Sequence, residues 1–389
     1  MLVPIRYNLR SLMVRRSTTL ATAIGIALVV WVLASAFMLA EGVKKTLGSA
    51  GRPDIAIVLR KGSDAELGST IEEPQVGLIK AMPGVKKVGG QPVGAGETIV
   101  VAAMEKVGGG GGVTNMQIRG INEDGEKLRP NVKVIDGRRP TPGADEAMVG
   151  VKINGRFKDI ALGSKFDIKK NRAIAVVGVF QDGGSAHESE LWIDRDVVRS
   201  AYGRASTVSS VRVELESLAS FDTFRVAVEQ DKRLGLQAMR ESEYYDKQSE
   251  GTSKFISILG TLVAFCFAIG AMIGASITMY ASIANRQREI GILRALGFSR
   301  LGILLSFLLE AVLLAFGGGV LGALASLAMG AVRFPILNQS SWSEMVFSFQ
   351  PTAAIVGYSL LAAAGMGIVG GFLPAVRAAR VSPLAALRG

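Results

Sequence analysis

The sequence is poor in the side chains that most often perform catalysis or bind metal ions. It contains one cysteine, Cys266, and one histidine, His187, so no disulfide can form within the chain. It also lacks the phosphate-loop motif G-x-x-x-x-G-K-S/T, as well as H-E-x-x-H, C-x-x-C and G-x-S-x-G. We therefore predict that the chain is not an enzyme and has no catalytic residues, no metal site and no bound cofactor. His187 lies among acidic residues in a polar segment, and we expect it to be exposed to solvent.

Charge is nearly absent from four long stretches of the chain. Three of them contain no Asp, Glu, Lys or Arg, and the remaining one contains only Glu310. Each exceeds the roughly 20 residues with which an α-helix crosses the ~30 Å hydrocarbon core of a bilayer. The first is also longer than the roughly 7–15-residue core of a cleaved signal peptide, which favours a retained anchor. We predict four transmembrane helices: TM1 at 18–40, TM2 at 255–284, TM3 at 301–332 and TM4 at 350–373.

Basic residues concentrate in three short segments, 1–17, 285–300 and 374–389. Together these segments hold eleven arginines against one glutamate, whereas the long segment 41–254 carries 32 basic and 30 acidic residues. An excess of arginine and lysine marks the cytoplasmic side of a membrane protein. We therefore predict that both termini and 285–300 are cytoplasmic, and that 41–254 and the short loop 333–349 lie outside. The net charge of +11 then reports topology, and we expect no nucleic-acid partner.

The segment 41–254 mixes strand-like and helix-like patterns. DIAIVL and SSVRVEL are typical of strands, whereas EEPQVGLIKAM and SFDTFRVAVEQ are typical of helices. Short strand-like pieces form a β-rich insertion at about 134–203, and the glycines Gly108–Gly112 predict a mobile hairpin tip. Apolar spacing in 1–17 predicts an amphipathic helix lying on membrane lipids, and the alternative is that its basic residues simply flank a membrane anchor. The predicted fold class is a polytopic α-helical membrane protein with four transmembrane helices plus a large α+β extracytoplasmic domain.

A short charged segment, 285–300, separates TM2 from TM3. Its sequence, NRQREIGILRALGFSR, predicts a helix with apolar residues such as Ile290. Arg286 and Glu289 can pair at i,i+3 spacing, and Gly297 is a typical helix end. Such a helix either docks into a groove on a soluble partner or rests on the lipid surface.

Three motifs occur in order along the membrane part of the sequence. RQREIGILRALG follows TM2, LLEAVLLAFGGGVLG lies in TM3, and LPAVRAARVSPLAALR lies at the end of TM4 and beyond. In this order they resemble the permease subunits of the MacB, FtsX, LolC/LolE and DevC group of ABC transporters, a type VII or mechanotransmission family. The outer segment resembles that family more loosely, at GVKKV and ESELWI.

The resemblance implies the permease subunit of an ABC transporter in the bacterial inner (cytoplasmic) membrane, with its large domain in the periplasm. A separate ATPase, holding ATP and Mg, would act on two paired permease chains and export or extract lipids, lipoproteins or amphipathic compounds. A periplasmic adaptor or outer-membrane protein would be a further partner. The alternatives are an FtsX-like regulator of a periplasmic cell-wall hydrolase and a standalone sensor without an ATPase. The ATPase-coupling residues that the resemblance implies are Arg286, Arg288, Glu289, Ile290, Leu293, Arg294 and Gly297. Ile290 and Leu293 would be the apolar anchors, and Arg288, Glu289 and Arg294 would make the rim contacts.

Two further features lie inside the predicted spans. Glu310 is nine residues into TM3, near mid-bilayer, where a carboxylate costs on the order of 3 kcal/mol or more. We expect it to face protein, either as a polar lock that changes partner during the ATP cycle or as a group neutralised within the helix bundle. Glycine pairs spaced G-x-x-x-G allow close helix packing, within one chain or between two. These pairs are Gly270/Gly274, Gly318/Gly322 and Gly367/Gly371.

Overall fold

A computed structural model describes residues 16–108, 112–169, 172–338 and 340–381. The helix predicted at 1–17, apart from its last two residues, and much of the glycine-rich hairpin tip lie outside these residues. The chain divides into two compact units. The membrane unit contains the residues up to Glu41, Lys254–Val332 and the residues from Phe349 onward, and the outer unit contains Gly42–Ser253 and Arg333–Ser348.

The described helices include four that are long and apolar enough to cross a membrane, which confirms the predicted fold class. In chain order the helices are α1 (Arg16–Gly48), α2 (Glu73–Lys80), α3 (Glu123–Lys127), α4 (Arg195–Ala201), α5 (Ser220–Gln230), α6 (Glu241–Asn285), α7 (Gln287–Ala295), α8 (Arg300–Leu327) and α9 (Ala353–Ala379). The four candidate spans are α1, α6, α8 and α9. Helix α6 begins well before the predicted TM2, because its polar first turns are helical and bury Tyr244 and Tyr245.

Small and branched apolar side chains pack the helices of the membrane unit. One buried cluster joins α1, α6, α8 and α9 and includes Val30, Ala315 and Ala363. Glycines bring the backbones close together. A Cβ added at Gly318 of α8 would lie 2.6 Å from the carbonyl oxygen of Ala23 in α1. Close approach of this kind stabilises helix packing in lipid, where there is little hydrophobic driving force between helices.

The three predicted glycine pairs have different surroundings. Gly318 and Gly322 contact α1, and Gly367 and Gly371 contact α8. The pair on α6 differs, because a Cβ at Gly270 or Gly274 would meet nothing within 4 Å. Both of these glycines line an open groove of about 430 Å³ between α1 and α6.

The outer unit is built on a mixed ten-stranded sheet. Its strand order is β14-β1-β13-β5-β6-β11-β8-β10-β7, and β9 pairs with β10. The strands are β1 (Ile55–Arg60), β2 (Ile71–Glu72), β3 (Lys87–Val88), β4 (Gln91–Pro92), β5 (Gly94–Glu105), β6 (Val113–Ile121), β7 (Lys133–Gly137), β8 (Glu146–Gly150), β9 (Lys165–Lys169), β10 (Arg172–Gln181), β11 (Glu190–Asp194), β12 (Thr207–Val208), β13 (Ser210–Glu214), β14 (Leu236–Arg240), β15 (Arg333–Asn338) and β16 (Ser343–Ser348).

Two apolar clusters divide this sheet into lobes. The first lobe consists of β14, β1 and β13 with α2 and α5, and its cluster includes Ile79 and Phe224. The second lobe consists of β6 to β11 with α4, and its cluster includes Ile118 and Phe166. The long hairpin β5–β6 joins the two lobes, since β5 pairs with β13 and β6 pairs with β11.

The segment between α8 and α9, predicted as a short loop, forms the hairpin β15–β16 and belongs to the outer unit. Val346 of β16 is fully buried in the second-lobe cluster, and its backbone N–H donates to the Ser189 hydroxyl at 3.1 Å. Glu344 accepts a hydrogen bond from Arg156 at 3.1 Å and forms an ion pair with Lys106. The hairpin is therefore an integral part of the second lobe.

Candidate functional site: the segment between the second and third spans

Helix α7 is short because its ends are sharply defined. Arg286 departs from helical geometry, with φ −114° and ψ 14°, and separates α7 from α6. At the other end Gly297 has φ +93°, a left-handed conformation that favours glycine. The N–H of Phe298 bonds to the Leu293 carbonyl at 3.2 Å, and the N–H of Gly297 bonds to the Arg294 carbonyl, also at 3.2 Å. These two bonds form a Schellman motif, which ends the helix at the glycine named from the sequence.

One face of α7 is packed inside the membrane unit. Ile290 is fully buried in a cluster with side chains of α6, α8 and α9, including Ile283, Phe307 and Ala375. We predicted Ile290 as an anchor for a partner, and the structure places its side chain where a partner does not reach it. Its burial instead fixes α7 against its own membrane helices.

The opposite face of α7 is exposed and carries side chains that sequence reasoning missed. Ile292 is 45% exposed and Leu296 is 70% exposed, and both follow Arg288 at intervals of four residues. Residues spaced i, i+4, i+8 share one face of a helix. Arg288 and Glu289 are exposed as well, whereas Leu293 is half-buried. We call Arg288, Ile292 and Leu296 the α7 face.

Arg286 connects this segment to α8. Its Nη1 atom donates to Glu310 Oε2 at 3.1 Å, and its Nε atom donates to Glu289 Oε2 at 3.2 Å. The guanidinium also lies 5.2 Å from the centre of the Phe307 ring. Arg286 is 5% exposed and Glu310 is 8% exposed, so the pair is largely withdrawn from solvent. The arginine thus compensates an intramembrane carboxylate that would otherwise be costly.

The remaining coupling candidates do not form one cluster. Arg294 is half-buried and donates to the Phe298 carbonyl at 3.0 Å, which supports the end of α7. The six glycines of the three predicted pairs lie on other helices, namely α6, α8 and α9. The structure brings together Arg286, Glu289 and Glu310, and the sequence had connected only the first two.

The prediction that His187 is exposed is wrong. The side chain is 1% exposed, with Nδ1 2.8 Å from Asp182 Oδ2 and Nε2 3.1 Å from the Tyr245 hydroxyl. The ring also packs edge-on against Trp192. Local polarity misled the sequence argument, because the side chain that covers His187 comes from the distant helix α6. Among the described residues, no group of three or more His, Cys, Asp or Glu side chains could hold a metal ion.

Four candidate spans, a large outer unit and a short helix between the second and third spans define a polytopic membrane protein with an outer domain. Two family models match the chain: the MacB-like periplasmic core domain over residues 18–231 and the FtsX-like permease C-terminal domain over residues 261–383. The chain therefore belongs to the MacB/FtsX-type family of ABC transporter permeases.

Similar proteins include the uncharacterized ABC transporter permease YknZ of Bacillus subtilis, 25% identical over 99% of this chain and 98% of the relative. The macrolide export ATP-binding/permease protein MacB of Hahella chejuensis is 39% identical over 36% of this chain, and the match spans 20% of that relative. The solved extracellular domain of YknZ from Gram-positive bacteria is 19% identical, with a TM-score of 0.35, and the match covers 48% of this chain and 100% of that domain.

Proposed function

We propose that this chain is the membrane subunit of an ABC transporter whose ATP hydrolysis is performed by a separate chain. ATP-driven movement of that ATPase would move the membrane helices and, through them, the outer domain. The transported molecules would be lipids, lipoproteins or amphipathic compounds outside the cytoplasm. The observation that carries the proposal is the two-sided helix α7, which is fixed on one side and exposed on the other.

The exposed side of α7 fits a groove on a soluble protein. Ile292 and Leu296 would supply the apolar anchors, and Arg288 and Glu289 would supply charged contacts at the rim. In helix-in-groove recognition, apolar anchors at i and i+4 give affinity and the surrounding charges set register. This assignment keeps Arg288 and Glu289 of the predicted rim and leaves out the half-buried Arg294. It replaces both predicted anchors, Ile290 and Leu293, with the two apolar side chains that are exposed.

The fixed side of α7 would carry force from the ATPase into the membrane helices. A push on the α7 face would act on α8 through Arg286 and Glu310 and on α6, α8 and α9 through Ile290. A buried ion pair in a low-dielectric environment is geometrically specific, because either charge left alone is costly. Glu310 in this proposal is the polar lock between the coupling helix and the third span.

We also propose that two permease chains pair and that the outer unit faces the periplasm of a bacterial inner membrane, with both termini in the cytoplasm. The arginine-rich segments 1–17, 285–300 and 374–389 support this orientation. The open Gly270 and Gly274 on α6 leave a small-residue face available to a second chain. A periplasmic adaptor or outer-membrane protein would complete the assembly.

A second candidate function is regulation of a periplasmic cell-wall hydrolase. The match of residues 261–383 to the FtsX-like permease C-terminal model supports this second candidate. The two functions differ in what stimulates the partner ATPase. A lipid-like substrate added to the reconstituted complex would stimulate a transporter, whereas a purified hydrolase would stimulate a regulatory complex.

Purification of the chain from its native membrane in mild detergent tests the proposal. We expect an ATPase to co-elute, and we expect Arg288→Glu and Leu296→Asp each to abolish that co-elution. Arg233→Glu is the matched control, because it reverses a charge on an exposed arginine of the outer unit. The proposal is overturned if the unaltered chain brings down no ATPase, or if both α7 variants retain it fully.

A further inference from the structure

The first turn of α6 is buried in the outer unit although its residues are polar. Glu241, Tyr244 and Tyr245 are each 3% exposed. Glu243, which lies in the same turn, faces outward and pairs with Lys247 at 2.8 Å. The side chains of the three buried residues are hydrogen-bonded to different segments of the outer unit. We call these three residues the α6 clamp.

Glu241 holds the segment that follows α1 and a strand of the first lobe. Its Oε2 atom accepts the backbone N–H of Arg52 at 3.1 Å. Its Oε1 atom accepts from Nε of Arg212, on β13, at 2.7 Å. Tyr244 lies beside it and accepts the backbone N–H of Glu66 at 3.2 Å through its hydroxyl. These contacts attach the start of α6 to the first lobe.

Tyr245 attaches the same turn to the second lobe. The Asp182 carboxylate is an acceptor, so Nδ1 of His187 donates to it across 2.8 Å. The Tyr245 hydroxyl is bonded to Nε2 on the other side of the ring, across 3.1 Å. His187 precedes β11 and packs on Trp192 of that strand. A hydroxyl on α6 is therefore bonded to the segment that leads into the middle of the second lobe.

Arg212 extends the clamp into a buried charge network. Its Nη1 atom lies 2.7 Å from Glu66 Oε1 and 2.9 Å from Glu97 Oε2. Arg119 Nη1 lies 2.7 Å from Glu97 Oε2, and Arg119 Nε lies 2.7 Å from Glu190 Oε2. The network thus crosses β13, β5, β6 and β11, from the first lobe to the second. Its members, all buried, are Glu66, Glu97, Arg119, Arg129, Glu190, Arg212 and Glu241.

Fully desolvated ion pairs resist sliding of the β-strands that carry them. If one pair separates, a charge is left without a partner in a low-dielectric interior, which is costly. The part of the sheet that this network crosses, from β13 to β11, is therefore expected to move as one rigid unit. The α6 clamp is bonded to both sides of it, to Arg212 through Glu241 and to His187 through Tyr245. Helix α6 is continuous from Glu241 to Asn285 and is followed directly by Arg286, which contacts Glu310.

We propose that Glu241, Tyr244 and Tyr245 are positioning residues that transmit displacement of α6 to both lobes of the outer domain together. The inference rests on the proposed function, since it needs an ATPase to move α6. It goes beyond that function by assigning the outer end of the force path to three side chains. Loosening them uncouples outer-domain movement from ATP hydrolysis without weakening the ATPase contact.

The test uses the chain co-purified with its ATPase and reconstituted into lipid nanodiscs. Spin labels on Ile135→Cys and Leu373→Cys, in a Cys266→Ala background, report a distance between an exposed outer-unit site and an exposed membrane-unit site. The distance is measured with and without vanadate-trapped ATP. Glu241→Gln and Tyr245→Phe preserve shape and remove a charge or a hydroxyl. Glu243→Gln is the matched control in the same turn.

We expect each clamp variant to reduce the ATP-dependent distance change roughly twofold or more, and the double variant to reduce it further. We expect the ATP hydrolysis rate and ATPase co-elution of both clamp variants to stay near those of the Glu243→Gln control, a separation that a purely structural role does not give. The thermal midpoint should stay near that of the control in Tyr245→Phe and fall in Glu241→Gln, because the buried Arg212 loses one of its carboxylate partners. An unchanged distance response in both variants overturns the clamp while leaving the proposed function intact. A clamp variant with a lowered midpoint and a lowered hydrolysis rate also overturns it. No ATP-dependent change in the unaltered complex overturns the proposed function itself.

Discussion

The two units of this chain treat buried charge differently. In the membrane unit, the intramembrane Glu310 is compensated by Arg286, and the helices meet through glycines and small apolar side chains. In the outer unit, seven charged side chains form one network through the middle of a sheet that also has two apolar clusters. The outer unit is not short of hydrophobic core, so its network is not a substitute for one.

The difference follows from what each environment supplies. Lipid gives no hydrophobic drive for helix association, so close packing and a few polar contacts decide the arrangement. In the outer unit, burial of apolar residues already stabilises each lobe, and paired charges add geometric specificity between them. We therefore expect the small-residue contacts of the membrane unit to readjust more easily than the outer unit, whose buried ion pairs favour one internal geometry.

Removal of a central arginine is expected to have the largest effect. Arg119→Leu removes the arginine partner of Glu190 and one of the three arginines that contact Glu97, in a site that is 1% exposed or less. We expect the outer unit to lose roughly 3–5 kcal/mol of unfolding free energy. Thermal unfolding of the full chain in detergent measures the change. Arg233→Leu, at an exposed ion pair, serves as the control and should shift the midpoint very little.

Acid is expected to act on the same network. Burial by itself would raise the pKa of Glu97, but Arg129, Arg212 and Arg119 outweigh it and lower the pKa to about 2. Burial likewise opposes ionisation of Glu66 and Glu190, and neighbouring arginines lower the pKa of both. A carboxyl whose folded pKa is depressed stabilises the fold above its unfolded pKa and loses that contribution as pH falls.

We therefore expect outer-unit stability to be constant near neutral pH and to fall from about pH 4.5, the unfolded pKa of glutamate, down to about 2. Glu97 contributes about 2–3 kcal/mol in this window, and Glu66 and Glu190 contribute in the same direction. Unfolding midpoints measured from pH 7 to pH 3 check the direction. A midpoint that rises as pH falls below 4.5 would show that the network is not the main acid-sensitive element.

The sequence predicted the parts of the fold that depend on local composition. Missing charge located the four spans, and Gly297 correctly marked the end of α7. Pairings between distant residues were not predictable. Arg286 meets Glu310 across 24 residues, and the contact depends on the break that separates α6 from α7. His187 meets Tyr245 across 58 residues, so its polar neighbours in sequence gave the wrong expectation for its burial.

The two sides of α7 were ambiguous for a related reason. Apolar residues at Ile290, Ile292, Leu293 and Leu296 surround the short helix, so periodicity alone did not say which of them face the membrane unit. Their assignment depends on where α8 and α9 pack. The short helix α7 was therefore located from the sequence, and its exposed face was not.

Disruption of the Arg286–Glu310 contact tests whether this single ion pair stabilises the membrane unit as strongly as the charge network stabilises the outer unit. We expect Arg286→Gln or Glu310→Ala to cost about 1.5–3 kcal/mol and to reduce stimulation of the co-purified ATPase, with membrane insertion unchanged. The double variant Arg286→Gln/Glu310→Gln removes both charges and should recover part of the stability. Equal stimulation by the unaltered chain and by both single variants would contradict a coupling role for this contact.

The smallest effect is expected from adding one methyl group to a glycine, and it tests the readjustable packing assigned to the membrane unit. A Cβ at Gly322 would contact the Ala27 carbonyl and lie 2.9 Å from Val30 Cβ, whereas a Cβ at Gly270 would meet nothing within 4 Å. We expect Gly322→Ala to lower stability by roughly 1–3 kcal/mol, since the backbone of Ala27 cannot move aside and α1 and α8 must separate. Gly270→Ala should leave the stability of the single chain unchanged, and any loss it causes should depend on protein concentration if a second chain uses that face. If Gly322→Ala and Gly270→Ala lowered stability equally and independently of protein concentration, the α6 groove would be closed in the folded chain. The two glycine pairs would then not differ in their packing.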